Sequence, residues 1–316
     1  MTQRTVGIVG VGKIAIDQHV PSIAETGLFQ LAGLVSQRGV TLEGVPTFRT
    51  QAELFAALPH LDAVAICTPP DVRHGYVREA LAAGKHVLME KPPTASLMEL
   101  EDLVGAARQA GKALFATWHS QFNPAVDQAR DLLAGASIRS VTVTWKEDVR
   151  RWHPGQEWIW RAGGFGVFDP GINALSILTK ILPFPAFVEA ADLLFPANRD
   201  TPIAASLRFR TPKGTGLESF TAEFDWRQEG EQTWTIAIET TAGAKVVLTK
   251  GGTCLAVDGA PVREGTDQEY RHIYRRFAAL VAEKAVDVDA APLRIVADSF
   301  LVGRRVVTDA FEWAKG

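Results

Sequence analysis

The amino-acid sequence predicts an α/β protein of two domains. Three observations support this prediction: short apolar runs alternate with amphipathic stretches in the first third of the chain, a glycine-rich turn follows the first run, and strand-like segments dominate after residue 120. The first domain, over residues 1–120, is expected to hold a doubly wound parallel sheet. The second, over residues 121–316, is expected to be an α+β domain with a large open, mostly antiparallel sheet.

Strands and helices are predicted to alternate in the first domain. Its apolar runs lack the polar alternation of half-exposed strands, as expected for strands buried on both faces of a parallel sheet. The predicted strands are Thr5–Gly10, Leu31–Ser36, Ala63–Cys67, His86–Glu90 and Leu114–Trp118. The predicted helices are Ile14–Glu25, Thr50–Ala57, Val72–Ala83 and Ser96–Ala110.

The second domain shows strand-like segments with little helix between them, which indicates an open sheet with helices on one face. The predicted strands are Val141–Trp145, Ala205–Arg210, Phe220–Trp226, Trp234–Thr240 and Lys245–Thr249. The predicted helices are Pro124–Leu133, Asp169–Leu182, Gln268–Glu283 and Leu293–Trp313. The C-terminal helices could pack back on the first domain.

The composition favours a small-molecule partner over a nucleic acid or a membrane. The net charge of −3 provides no basic field for a polyanion, and no apolar segment reaches the roughly 18 residues of a membrane span. The apolar stretch Val6–Val11 is short for a signal peptide, so a cytoplasmic location is expected. Cys67, Cys254 and the seven histidines show neither disulfide nor metal-ligand spacing, so no metal is expected. A homo-oligomer is compatible with an open sheet face.

A dinucleotide site is predicted at the first turn. The segment Gly10–Ala15 has the G-x-G-x-x-A pattern directly after a predicted strand and before a predicted helix. This context favours dinucleotide binding over the alternative interpretation, a chance glycine turn. Glycine permits the tight turn and the close approach of a pyrophosphate, and the helix N-terminus offers free N–H groups. We therefore predict a Rossmann-type domain whose first cofactor contacts are Gly10, Gly12, Lys13 and Ile14.

The end of the second strand favours NADP over NAD. An NAD site usually carries an acidic residue there, whereas this chain has Ser36, Gln37 and Arg38. Arg38 and Ser36 could bind a 2′-phosphate; alternatively, Arg38 is a solvated loop charge and both cofactors are usable. Because parallel sheets bind ligands at the carboxyl ends of their strands, further cofactor contacts are predicted at Thr68, Pro69, His74, Glu90 and Lys91.

The motif Glu90-Lys91-Pro92, following this glycine turn, resembles the glucose-fructose oxidoreductase / inositol dehydrogenase (Gfo/Idh/MocA) family. A second family signature, D-x-G-x-H, is similar to the segment that begins at Asp169, but this chain has Asn173 in place of the histidine. An amide cannot take a proton. The resemblance therefore implies that Asp169 or Lys91 is the proton acceptor and that Asn173 hydrogen-bonds the substrate. A helix-capping role is the alternative for Asp169.

The segment Trp145–Gln156 combines acids, bases and two tryptophans, which suits sugar hydroxyls and the flat C–H faces of a sugar ring. Its alternative is a charged loop whose tryptophans pack in an interface. The segment resembles the L-arabinose and D-galactose 1-dehydrogenase branch of the family. That resemblance implies a pyranose site, and the residues predicted to bind substrate are Lys91, Glu147, His153, Asp169 and Asn173, with Trp152 and the weaker candidate His119.

The resemblance implies an NAD(P)-dependent aldose 1-dehydrogenase, which oxidises L-arabinose, D-galactose or both at C1 to the aldonolactone. NADP is the expected acceptor, with NAD as the alternative. Two other functions stay open. One is a cofactor-binding, sugar-responsive regulator of the same fold without chemistry, which the loss of the family histidine would favour. The other is a family oxidoreductase that acts on another polyol, imine or aldehyde.

Overall fold

The computed structural model describes residues 3–213, 215–266 and 268–313. The chain forms two compact units. The first unit contains the residues up to His119 together with Glu269–Ala290, and the second contains Ser120–Gln268 and the residues from Ala291 onward. Helix Glu269–Glu283 therefore belongs to the first unit, and the helix after it belongs to the second.

The strands are numbered in chain order. They are β1 Arg4–Val9, β2 Phe29–Val35, β3 Thr47–Phe48, β4 Ala63–Ile66, β5 His86–Met89, β6 Leu114–Ala116, β7 Ile138–Lys146, β8 Phe187–Pro196, β9 Ala204–Arg210, β10 Ser219–Asp225, β11 Thr233–Thr240, β12 Lys245–Thr249, β13 Cys254–Val257, β14 Ala260–Glu264, β15 Val286–Asp287 and β16 Arg304–Thr308.

The helices are numbered in the same way. They are α1 Val20–Thr26, α2 Gln51–Ala57, α3 Pro70–Ala82, α4 Leu97–Ala110, α5 Val126–Leu133, α6 Val149–Trp152, α7 Phe168–Ile181, α8 Glu269–Glu283 and α9 Ala291–Val302. A π-helical turn, Ala15–His19, runs directly into α1. Across the described residues, no helix is both long and apolar enough to span a bilayer.

The first unit is built on a seven-stranded parallel sheet in the order β15-β6-β5-β4-β1-β2-β3. Strands β4 and β5 are buried along their whole length, as the apolar runs Ala63–Ile66 and Val87–Met89 predict. The pairings Val9 with Val35 and with Ile66, and Ile66 with Met89, align the carboxyl ends of β1, β2, β4 and β5. The loops after these strands therefore leave from one edge of the sheet.

The second unit is built on a nine-stranded sheet in the order β14-β13-β12-β11-β7-β10-β9-β8-β16. Strand β7 is parallel to β10, and β8 is parallel to β16; the other pairs are antiparallel. Helix α7 packs against β7, α5 and α9. A Cβ atom at Gly171 would lie 2.9 Å from the Phe224 ring, so glycine allows α7 to pack closely on β10. The predicted fold class is confirmed.

One predicted element is wrong. The helix expected over Leu293–Trp313 ends at Val302, and Arg304–Thr308 forms strand β16. This segment pairs in parallel with β8 from Asp192 to Pro196, so its backbone hydrogen bonds run to a neighbouring strand. The β-branched pair Val306-Val307 suits that conformation. The partner strand is more than 100 residues away in sequence, so local periodicity could not reveal the pairing.

Candidate active site

The glycine turn has the geometry of a phosphate-binding turn. Gly10 has a φ of 91°, and a Cβ atom there would lie 2.8 Å from the Thr68 amide nitrogen. Its own N–H donates to the Val35 carbonyl at 3.0 Å. A Cβ atom at Gly12 would have no neighbour within 4 Å. The backbone at Gly12 is therefore open to the approach of a ligand, as a pyrophosphate requires.

The helix after this turn begins irregularly. The Val20 N–H bonds to the Ala15 carbonyl, five residues back, and Pro21 follows within the same helix. Proline has no N–H to donate, which is a common cause of such a local change of helix geometry. The π turn places His19 in the core, fully buried. Lys13, one of the predicted contacts, is mostly exposed and pairs with Asp17.

The end of β2 offers polar groups at the predicted 2′-phosphate position. Ser36 is buried, and its Oγ accepts the Val40 N–H at 3.0 Å. Gln37 donates to the Tyr76 hydroxyl at 3.2 Å. Arg38 is exposed and has no partner within the described part of the chain. Its guanidinium is therefore available to a ligand, although its cofactor role stays a prediction.

The loop after β4 holds two of the predicted cofactor residues. Thr68 is buried, and its Oγ1 has no hydrogen-bond partner among the described atoms. A buried hydroxyl without a partner is costly, so a bound ligand would account for it. Pro69 precedes the first residue of α3. These features of the turn and the loop fit a dinucleotide.

His74 has a partner away from these loops. It lies on α3, and its Nε2 is 2.7 Å from Asp102 Oδ2 on α4. The pair is partly exposed, and Arg78 also lies within 3.6 Å of Asp102. This contact accounts for His74 without a ligand, and its cofactor role stays a prediction.

The loop after β5 is held by a buried carboxylate. Glu90 Oε1 accepts from the Tyr270 hydroxyl at 2.8 Å and lies 2.9 Å from His19 Nε2. Glu90 Oε2 accepts the Lys91 N–H at 3.0 Å. On the other side of the loop, the buried Arg73 donates to the carbonyls of Glu90 and Pro92 and to that of Thr68. Sequence analysis did not identify His19, Arg73 or Tyr270.

The charges in this network stabilise one another. Burial by itself raises the pKa of Glu90, but the hydrogen bond and charge of His19, with His119 and Tyr270, lower it to about 2. Burial by itself lowers the pKa of His19, but Cys67, Tyr274 and Glu90 raise it well above its usual value. The network therefore favours a Glu90 carboxylate beside a protonated His19.

His119 belongs to the first unit and contacts its neighbours there. Its Nδ1 lies 2.7 Å from Glu269 Oε2, and its ring stacks on Tyr270 with centroids 5.8 Å apart. Burial lowers its pKa, but the adjacent Glu269 carboxylate outweighs this effect and raises it. These contacts support the interpretation of His119 as a core histidine, and its role towards substrate stays a prediction.

In the second unit, Asp169 is buried at the start of α7. The N-cap residue is Val167, which makes no side-chain cap, and Asp169 is the second residue of the helix. The capping alternative for Asp169 is therefore wrong. Its carboxylate faces His153, whose Nε2 is 3.7 Å from Asp169 Oδ2.

Glu147 brings a second carboxylate to the same histidine. It follows β7, and its Oε1 lies 3.8 Å from His153 Nε2. Its Oε2 accepts from Trp234 Nε1 at 2.9 Å. His153 is the residue after the short helix α6, and its ring packs on Trp226 with centroids 5.3 Å apart. Trp234, which orients Glu147, was not identified from the sequence.

Asn173 lies one helical turn after Asp169, so the two residues share a face of α7. Its Oδ1 is buried and has no hydrogen-bond partner in the described structure. A substrate hydroxyl would satisfy this acceptor. Trp152 is 38% exposed, donates to Gln232 at 3.0 Å, and lies 5.4 Å from the Trp234 ring.

The second unit thus brings three predicted residues into contact, Glu147, His153 and Asp169, and places Asn173 on the same face of α7 as Asp169. The first unit contains Lys91 and the predicted cofactor loops. Across the described ranges, no three His, Cys, Asp or Glu side chains are grouped as metal ligands would be. Sequence patterns did not reveal His19, Tyr270 and Trp234, because the carboxylates they contact lie 71 to 180 positions away. Arg73 contacts carbonyls only 5 to 19 positions away, but it belongs to no recognised motif.

Known proteins resemble the chain over nearly its whole length. Residues 4–117 match the oxidoreductase family with an NAD-binding Rossmann fold. The chain is 46% identical to galactose 1-dehydrogenase from Pseudomonas fluorescens, over 96% of this chain and 97% of the relative. The crystal structure of a D-galactose-1-dehydrogenase protein from Rhizobium etli is 52% identical, with a TM-score of 0.93 and 99% of both chains covered.

A 3-ketoreductase from Actinomadura kijaniata, in complex with NADP and TDP-benzene, is 19% identical to the chain. Its TM-score is 0.83, over 97% of this chain and 100% of its own, and this likeness shows a shared fold. The galactose 1-dehydrogenase relative and the family match over residues 4–117 together show that the chain belongs to the Gfo/Idh/MocA family of oxidoreductases.

Proposed function

We propose that this protein is an NAD(P)-dependent aldose 1-dehydrogenase, which oxidises D-galactose, L-arabinose or both at C1 to the aldonolactone. The observation that carries the proposal is the pair of buried carboxylates, Glu147 and Asp169, which both lie within 4.0 Å of the partly buried His153 imidazole. The similarity of the chain to two galactose 1-dehydrogenases over nearly its full length supports the same reaction.

The reaction removes a hydride from C1 and a proton from the C1 hydroxyl. When bound, the nicotinamide supplies the hydride acceptor. Asp169 takes the O1 proton as general base: its carboxylate is buried at the start of α7 beside His153, and it is not the N-cap of that helix. Lys91 is the alternative proton acceptor in this proposal.

The sugar ring is held by Glu147, His153 and Asn173. Glu147 keeps its orientation through Trp234, and accepts from sugar hydroxyls. The Oδ1 of Asn173, which has no partner among the described residues, accepts a hydrogen bond from one further sugar hydroxyl. Trp152 offers a partly exposed aromatic face for the C–H side of the ring. Fixing the ring makes hydride transfer effectively unimolecular.

D-galactopyranose and L-arabinopyranose share their ring stereochemistry and differ by a hydroxymethyl group. One small group in a pocket changes transition-state binding by about 1–3 kcal/mol, or about 10- to 200-fold in kcat/KM. We therefore expect both sugars to be oxidised, with a preference set by the room at C5.

We further propose that NADP is the preferred acceptor. Arg38 is exposed and without a partner within the described residues, and Ser36 has a hydroxyl hydrogen left to donate, because its oxygen already accepts from Val40. One charge-assisted hydrogen bond contributes about 1.5–3 kcal/mol, which corresponds to a preference of roughly 10- to 100-fold.

Arg38→Ala is expected to weaken NADP binding by roughly 10-fold or more and to leave NAD binding nearly unchanged, since NAD has no 2′-phosphate. Fluorescence titration with NADPH and NADH measures both affinities. Arg78→Ala is the control, because Arg78 is an exposed arginine of the same unit that pairs with Asp102. Equal losses of NADP and NAD affinity in Arg38→Ala would refute the assignment.

The proposed function is tested by formation of reduced nicotinamide with D-galactose and L-arabinose, each with NADP and with NAD. Rapid reduction with either sugar supports the enzyme class. If the protein binds cofactor but reduces none with these two sugars, the panel is extended to other polyols and aldehydes. Turnover of another compound would change the substrate, and no turnover at all would favour the non-catalytic regulator.

A further inference from the structure

The backbone at Lys91 is held from both sides by buried groups of the first unit. Glu90 Oε2 accepts the Lys91 N–H, and Arg73 binds the carbonyls before and after it, those of Glu90 and Pro92. Arg73 and Glu90 are 2% and 4% exposed. The position of Lys91 therefore depends on where the Glu90 carboxylate is held.

Two helices hold that carboxylate. Tyr270, in the first turn of α8, donates its hydroxyl hydrogen to Glu90 Oε1 at 2.8 Å. His19, from the π turn of the helix that follows the glycine turn, lies 2.9 Å from the same oxygen. Both side chains are buried. His19 thus links the glycine turn to the loop that carries Lys91.

Tyr274 provides a comparison on the same helix. Its hydroxyl is 2.8 Å from His19 Nδ1, so it contacts the network one residue further from Glu90. Both tyrosines are buried, and each uses a phenol hydroxyl. They differ in whether the hydroxyl contacts the carboxylate that binds Lys91.

We propose that Tyr270 is a positioning residue for Lys91, which acts through the Glu90 carboxylate, and that His19 ties the glycine turn to the same carboxylate. The inference rests on the proposed function for the consequence in turnover, because Lys91 needs a defined position only if it acts on substrate. The positioning itself can be measured without turnover.

Tyr270→Phe is expected to lower kcat by about tenfold at saturating sugar, with KM and NADPH affinity within about twofold of the unchanged protein. Tyr274→Phe removes an equivalent buried hydroxyl and is expected to keep kcat within about twofold. Both variants lose a buried hydrogen bond and should show similar decreases in Tm. Unchanged kcat in Tyr270→Phe, or equal losses of kcat in both variants, would overturn the proposal.

Acylation of Lys91 by acetic anhydride, followed by peptide mass spectrometry, separates this inference from the proposed function. We expect the labelling rate of Lys91 to change in Tyr270→Phe and to stay unchanged in Tyr274→Phe, with Lys13 as the internal reference. If the unchanged protein oxidises no sugar, the proposed function fails, and labelling alone decides the inference. Equal Lys91 rates in the unchanged protein and in Tyr270→Phe would overturn it.

Discussion

Asp169→Asn is expected to lower kcat by about two to four orders of magnitude, while NADPH affinity stays unchanged. Asparagine has nearly the same shape as aspartate but cannot accept the O1 proton. Asp169 is buried, and its carboxylate lies 3.7 Å from His153. Its position in α7 is not used for capping, so the loss should fall on turnover more than on stability.

Steady-state kinetics with the preferred sugar, together with NADPH titration, measure this prediction. Asp192→Asn is the control, because Asp192 is a carboxylate of the same unit that pairs with Arg304 on the neighbouring strand. Near-normal turnover in Asp169→Asn would contradict the role of Asp169 as base. In that case His153, within 4.0 Å of both carboxylates, becomes the candidate base, and His153→Gln would show the larger loss.

Glu90→Gln is expected to destabilise the first unit by about 3 kcal/mol at neutral pH, because it leaves the buried His19 without its carboxylate. Urea unfolding followed by circular dichroism measures the change. Asp102→Asn is the control, since Asp102 forms the equivalent pair with His74 at a partly exposed position. Exposed pairs contribute about 0–1 kcal/mol. Equal effects of the two substitutions would contradict the importance of the buried pair.

The same pair predicts a pH dependence with two limits. The pKa of Glu90 is lowered from 4.5 to about 2, so its contribution to stability is present above pH 4.5 and is lost as the pH falls towards 2. The pKa of His19 is raised well above 6.5, so its contribution is present below pH 6.5 and is lost as the pH rises through the raised value. In Glu90→Gln, the loss of stability as the pH falls from 4.5 towards 2 should be smaller than in the protein with Glu90.

Most of the fold could be predicted from local sequence patterns. Each of these patterns lies within one short segment of the chain: the apolar runs of β4 and β5, the glycine turn, and the helices α3 and α4. The two-residue strands β3 and β15 are too short to show a pattern, and both were missed. Strands β8, β13 and β14 were not among the predicted strands either. Strand β16 was mistaken for helix because its partner β8 is distant in sequence.

The residue types of the site were also predictable, because the motifs at Glu90 and Asp169 are local in sequence. Sequence alone left Asp169 between catalysis and capping, and the N-cap at Val167 removed the second option. The grouping of Glu147, His153 and Asp169 was inferred from resemblance, and its distances come from the packing of α7 beside β7.

The sequence and the tertiary structure thus determine different properties of this protein. The amino-acid sequence alone determines which segments become strands and helices, and which loops carry groups able to bind phosphate, accept a proton or bind a hydroxyl. Only the folded chain decides how these groups are held: His19, Arg73 and Tyr270 converge on the loop of Lys91, and Trp234 on Glu147. Such contacts join residues up to 180 positions apart. Burial and hydrogen bonding between them exist only after packing, so no local pattern can encode them.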